Sequence, residues 1–115
     1  MLFRSEQAIE RAERTKACWL LSESLRIRGE LLFLQAAPGA AAAAEQLFQQ
    51  ALDWARRQDA VSWELRAATS LARLRHDQGR PEEAMALLRP VYNRFTEGFG
   101  TADLKAAKAL LDTLL

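Results

Sequence analysis

Apolar positions along this chain recur at helical spacing, and no stretch alternates apolar and polar residues for long enough to suggest a half-buried strand. Ala8, Ile9 and Ala12 predict a first helix over roughly residues 3–14. A second is expected from about Thr15 to Gln35, with Trp19, Leu25 and Leu32 in register. It stops before Ala37-Pro38-Gly39, because a residue preceding proline is pushed out of the α region. A third begins within the small residues Ala40–Ala44 and carries Leu47, Phe48, Ala51, Leu52 and Ala55 on one face.

A fourth helix is predicted from near Asp59, whose carboxylate is suited to capping free N–H groups. It continues through Trp63, Ala67, Leu71 and Leu74 to Gln78, and Gly79 ends it. Pro81 opens a fifth helix at the position where its missing N–H costs nothing, and Glu82 and Glu83 lie at the positive end of that helix's dipole. This helix carries Ala84, Leu87, Leu88, Val91 and Tyr92. Pro90 removes the bond to Ala86 and predicts a kink or an early end. After Gly98-Phe99-Gly100, Thr101 is a good N-cap for a last helix bearing Leu104, Ala107, Leu110, Leu111 and Leu114, with Asp103 in its first turn.

Composition agrees with an all-α reading. Valine occurs only at 61 and 91 and isoleucine only at 9 and 27. Sixteen Lys and Arg against fifteen Asp and Glu leave a net charge of +1, so no global field draws in nucleic acid or an anionic membrane. One cysteine and one histidine exclude a disulfide framework, a cysteine-rich zinc site and most Cys/His catalytic sites. No apolar run reaches the ~20 residues that span a bilayer, and Met1 to Gln7 carry charge too early for a signal peptide. The expectation is one soluble, cytoplasmic domain over residues 1–115.

The chain repeats itself. Ala44-x3-Phe48-x2-Ala51-Leu52 matches Ala84-x3-Leu88-x2-Val91-Tyr92 at an offset of 40. Small Gly29 and Ala72 precede the two motifs by 15 and 12 residues, and Trp19 and Trp63 open the helices that lead in. Small residues let helix backbones approach, and the large one fills the groove between hairpins. Each hairpin alone leaves an apolar side uncovered, so hairpins must stack.

The run Gln78-Gly79-Arg80-Pro81-Glu82-Glu83-Ala84-Met85-Ala86-Leu87-Leu88 resembles the turn and second helix of a tetratricopeptide repeat, with Gly79 at the turn, Ala84 at the small position and Leu88 at the large one. The resemblance covers roughly residues 22–96. The unit is longer than the usual ~34 residues, and Arg28 stands at a normally apolar site. A narrower resemblance rests on Trp19-x10-Glu30-Leu31-Leu32, on Ser62 to Leu74, and on Phe95-Thr96-Glu97-Gly98-Phe99 with Asp103-Leu104. These strings look like the C-terminal helical-repeat region of large bacterial signalling ATPases, many with an adenylate cyclase or DNA-binding output domain.

The resemblance implies a fragment whose catalytic parts lie elsewhere, and the opening within a helical pattern agrees. The implied fold is a short right-handed α-solenoid of tandem antiparallel hairpins. Residues 3–14 would be the second helix of a partial repeat, 15–56 and 59–95 two repeats, and 101–115 a capping helix.

Catalytic signals are weak. There is no Gly-x4-Gly-Lys-Ser/Thr and no Gly-x-Gly-x-x-Gly. His76 beside Asp77 has no nucleophile motif to serve and reads as a surface or groove histidine. Cys18 next to Trp19 reads as a packing residue, and Trp19, Trp54 and Trp63 as inter-helix packing before an aromatic platform. No enzyme, cofactor or metal is expected.

If the repeat register holds, the first helix of each pair lines a concave face. That places Glu23, Arg26 and Glu30 from one repeat opposite Arg66, Thr69, Arg73 and His76 from the next. Arg66 and Arg73, seven apart on one helix, present planar donors suited to an acidic peptide or carboxylate. The alternative is a solvated helix face with local ion pairs. The expected function is a non-catalytic interaction or regulatory module that binds another protein or another domain of its parent chain. Homodimerisation through Leu2, Phe3 and Ile9 is the second expectation. Neither a nucleic acid nor a membrane is expected as partner of this segment.

Overall fold

Glycine, proline and short polar turns cut the chain where the periodic pattern breaks, and helices fill the intervals. The computed structural model describes residues 20–35, 38–95 and 100–114, and all regular structure in them is α-helical. Five helices lie among the described residues: α1 within 20–35, α2 Ala40–Arg57, α3 Val61–Asp77, α4 Pro81–Tyr92 and α5 Ala102–Leu114. The predicted helix 3–14, the apolar residues Leu2, Phe3 and Ile9, the pair Cys18-Trp19 and the turn residues Gly98-Phe99 lie outside the described residues.

Helices adjacent in sequence pack antiparallel, α2 on α3, α3 on α4 and α4 on α5, and α5 also touches α3. The central helix α3 is buried along most of its length, from Glu64 and Leu65 to Ala72 and Leu74. Both matching motifs contribute to the core. Ala44, Phe48, Ala51 and Leu52 are fully buried, as are Ala84 and Leu88, with Val91 nearly so and Tyr92 packed at the edge. Each large side chain buried this way contributes roughly 1.5–3 kcal/mol. Helix α1 docks on α2 where Gly29 meets the Phe48 ring, and the buried Ser22 hydroxyl donates to the Ala51 carbonyl at 2.8 Å.

The turn after α2 corrects one sequence expectation. Asp59 does not cap α3; Ala60 holds that position, without a side-chain bond. Asp59 instead follows the C-cap Gln58 in the left-handed region, at φ 52°. Its N–H donates to the Arg56 carbonyl and the Ala60 N–H to the Ala55 carbonyl, which is a Schellman closure. The same closure recurs after α3, where Gly79 stands at φ 77°, its N–H donates to His76 and the Arg80 N–H to Arg75. Aspartate is one of the few residues with a side chain that enters this region routinely. At the far end of the core, α4 continues two residues past Pro90 to Tyr92. Ala86, whose carbonyl loses a partner there, is exposed, so water can supply the bond.

Candidate functional site

Six charged side chains meet where α1, α3 and α5 converge. On α1, Glu23, Arg26 and Glu30 follow one another at helical spacing along the edge that faces α3. Arg26 grips Glu23 in bidentate fashion, Nε to Oε2 at 3.0 Å and Nη2 to Oε1 at 2.5 Å, and stands 3.8 Å from Glu30. From α3, Arg66 Nη1 reaches Glu23 at 3.3 Å and Arg66 Nε donates to Asp103 of α5 at 2.9 Å. Arg73 lies 3.6 Å from Glu30. Ser70, nearly buried between the two arginines, donates to Glu30 at 2.7 Å and accepts from Arg26 at 3.4 Å. The Arg66 guanidinium also lies over the Trp63 ring, 4.8 Å from its centre.

Burial alone pushes the Glu23 carboxyl up. The hydrogen bond and charge of Arg26, together with Arg66, outweigh it and hold Glu23 below the usual glutamate value. Arg26 is raised in turn, first by its hydrogen bond to Glu23 and further by the charges of Glu30 and Asp103.

These side chains frame a pocket of about 330 Å³ lined by Arg26, Arg66, Thr69, Ser70, Arg73 and Asp103, with Ala106 at its edge. Of the seven residues expected to share a groove, Arg26, Arg66, Thr69 and Arg73 line it. Glu23 and Glu30 brace the arginines from outside the lining. Thr69 is buried and donates its hydroxyl to the Leu65 carbonyl of its own helix at 2.7 Å, so it shapes the wall and offers little to a ligand. His76 does not line the pocket, and its Nδ1 is 3.6 Å from Asp77, too far for a hydrogen bond.

Sequence reasoning missed Ser70 and Asp103. Ser70 was legible, being four residues after Arg66 and three before Arg73 on one helix face. Asp103 carried no such signal, because its first-turn position explains it without any partner. Among the described residues no group of three or more His, Cys, Asp or Glu is placed to hold a metal ion, and no helix is long and apolar enough to cross a membrane.

The three guanidinium groups face three carboxylates, so the site is charge-balanced. Arg73 has one ion-pair partner among the described residues and is nearly half exposed, which leaves most of its donors turned to solvent. A ligand carboxylate can take those donors without breaking the Glu23–Arg26 pair. The chain matches no protein-family model, no curated protein and no solved structure.

Proposed function

We propose that this chain is a non-catalytic interaction module, a short stack of tetratricopeptide-like hairpins within a bacterial cytoplasmic signalling protein. Its α1–α3–α5 pocket takes an acidic segment of a partner protein or of another domain of the parent chain. The observation that carries this reading is the convergence of Arg26, Arg66 and Arg73 on one pocket, with Arg73 only loosely held. Planar guanidinium donors on a rigid helix suit carboxylate recognition. The stacking part of the reading draws support from the 40-residue offset between two motifs that both turn their small and large apolar residues into the core. Because the pocket is charge-balanced, binding is weak and salt-sensitive.

The test is an amide NMR titration of the full chain with an oligoglutamate peptide, with oligoglutamine as control. The expected result is a set of shifts at Ser70, Arg73 and Asp103 that salt and Arg73→Ala both abolish. Equal responses to the two peptides, or none at these residues, would end the proposal.

A further inference from the structure

Helix α1 is apolar on two opposite sides. One side, with Ser22, Leu25, Gly29, Leu32 and Phe33, packs against the rest of the protein. The other is the line Leu20, Ser24, Ile27, Leu31 and Leu34. At about 100° per residue it lies diametrically opposite the buried side. Five large apolar side chains stand exposed among the described residues, Leu20, Leu21, Ile27, Leu31 and Leu34, by 41% to 76%, and all belong to α1. A helix apolar on both sides is built to be sandwiched.

The spacing of the outer line selects the kind of partner. Positions 20, 24, 27, 31 and 34 alternate steps of four and three, the a/d seam of a coiled coil, so the complement is another helix. No charge interrupts the seam. Leu21, Arg28 and Gln35 flank one side and Glu23 and Glu30 the other. Parallel pairing of two such helices sets Glu23 beside the partner subunit's Arg28, and Glu30 beside the partner subunit's Gln35. Antiparallel pairing would set glutamate against glutamate. Arg28 is exposed and has no acidic partner among the described residues, while Glu23 and Glu30 keep 17% and 25% of their side chains accessible.

We infer that a second copy of this chain covers the outer line of α1, forming a parallel two-helix seam with a two-fold axis along the helices. This goes beyond the pocket reading and does not depend on it.

Sedimentation of the full chain from about 1 to about 300 µM tests it. The expected result is association toward twice 12.9 kDa. Ile27→Glu and Leu31→Glu, both at exposed sites, should each hold the chain monomeric with unchanged circular dichroism. Arg28→Glu, which no packing argument makes disruptive, should weaken the dimer several-fold. In a Cys18→Ser background, Ser24→Cys should yield a disulfide-linked dimer under mild oxidation, because position 24 meets itself only in the parallel arrangement. A chain that stays monomeric throughout overturns the inference and assigns the seam to the chain's own first residues or to a helix of another protein. A dimer that survives both glutamate substitutions, or one that does not cross-link through position 24, overturns it equally.

Discussion

Gly29 of α1 lies so close to Phe48 of α2 that a Cβ on residue 29 would stand 2.6 Å from Cε1 and 2.8 Å from Cδ1 of the ring. Phe48 is 1% exposed and belongs to the buried core cluster, so the ring can give way only by displacing packed neighbours. Two effects oppose each other in Gly29→Ala. Helix propensity favours alanine by about 1 kcal/mol, and overpacking a filled core costs about 1–3 kcal/mol. The clash should win, with a net loss near 1 kcal/mol in urea unfolding. Adding Phe48→Leu to the alanine variant should cost less than Phe48→Leu does alone, because the smaller side chain relieves the contact. A gain in stability from Gly29→Ala by itself would show that the ring yields.

Asp59 and Gly79 close two consecutive helices in the same way, yet only one is glycine. The left-handed conformation costs an ordinary residue roughly 1–2 kcal/mol, less for aspartate, and glycine almost nothing. Asp59→Gly should therefore raise the urea midpoint by an amount equivalent to about 0.5–1 kcal/mol. Gly79→Ala should lower stability by about 1 kcal/mol. The Asp59–Arg94 pair lost in the first variant is 3.7 Å long and open to water, so its removal offsets little. If Asp59→Gly destabilises, that surface pair outweighs the backbone.

The same two residues mark what the sequence made legible. Gly79 before Pro81 announces a helix end and a helix start, and both fall where expected. Asp59 satisfies equally well the chemistry of an N-cap and of a left-handed closing residue; the local sequence does not separate them, and the backbone chose the second. The buried faces were legible because Ala44, Phe48, Ala84 and Leu88 repeat at helical spacing. The site was legible only in part. Arg66 and Arg73 announce themselves by sharing a face, but the groups that satisfy Arg66 come from Glu23 and Asp103, 43 and 37 residues away. Which carboxylate a given arginine meets depends on how helices cross, and helical periodicity holds no record of that. The repeat register put Thr69 in the groove, and it does line the pocket, but its hydroxyl donates to its own helix, a bond the periodic pattern does not announce.

Acid should loosen the α1–α3 contact through Glu23. Its carboxyl in the folded protein sits below the ordinary 4.5, held there against burial by Arg26 and Arg66. A carboxyl depressed by folding contributes stability that is fully present above its unfolded value and is lost as pH falls through its folded value. Wild type should exceed Glu23→Gln by about 1 kcal/mol near pH 7, since charged hydrogen bonds are stronger than neutral ones. That margin should shrink once the pH drops below 4.5 and vanish in stronger acid. Urea titrations of both proteins across this range give the measurement. Parallel curves at every pH would mean that the Glu23 charge contributes nothing to the fold.

Arg66 and Arg73 share a helix face but should separate cleanly by experiment. Arg66 joins three helices at once, through Glu23 of α1 and Asp103 of α5, and stacks on Trp63 of its own helix. Replacing it with alanine removes two ion pairs and a cation–π contact, for an expected loss of about 1–2 kcal/mol. Arg73 makes one 3.6 Å pair and is nearly half exposed, so Arg73→Ala should cost under about 0.5 kcal/mol. The double-mutant cycle Arg66→Ala with Asp103→Ala should show coupling of about 0.5–1 kcal/mol, whereas Arg73→Ala with Asp103→Ala should be additive. If Arg66 binds the pocket's walls together and Arg73 receives the ligand, loss of oligoglutamate binding should accompany Arg73→Ala at unchanged thermal stability. Arg66→Ala should lower both. Equal destabilisation by the two substitutions would make the arginines interchangeable struts and remove Arg73 as the residue that meets a partner.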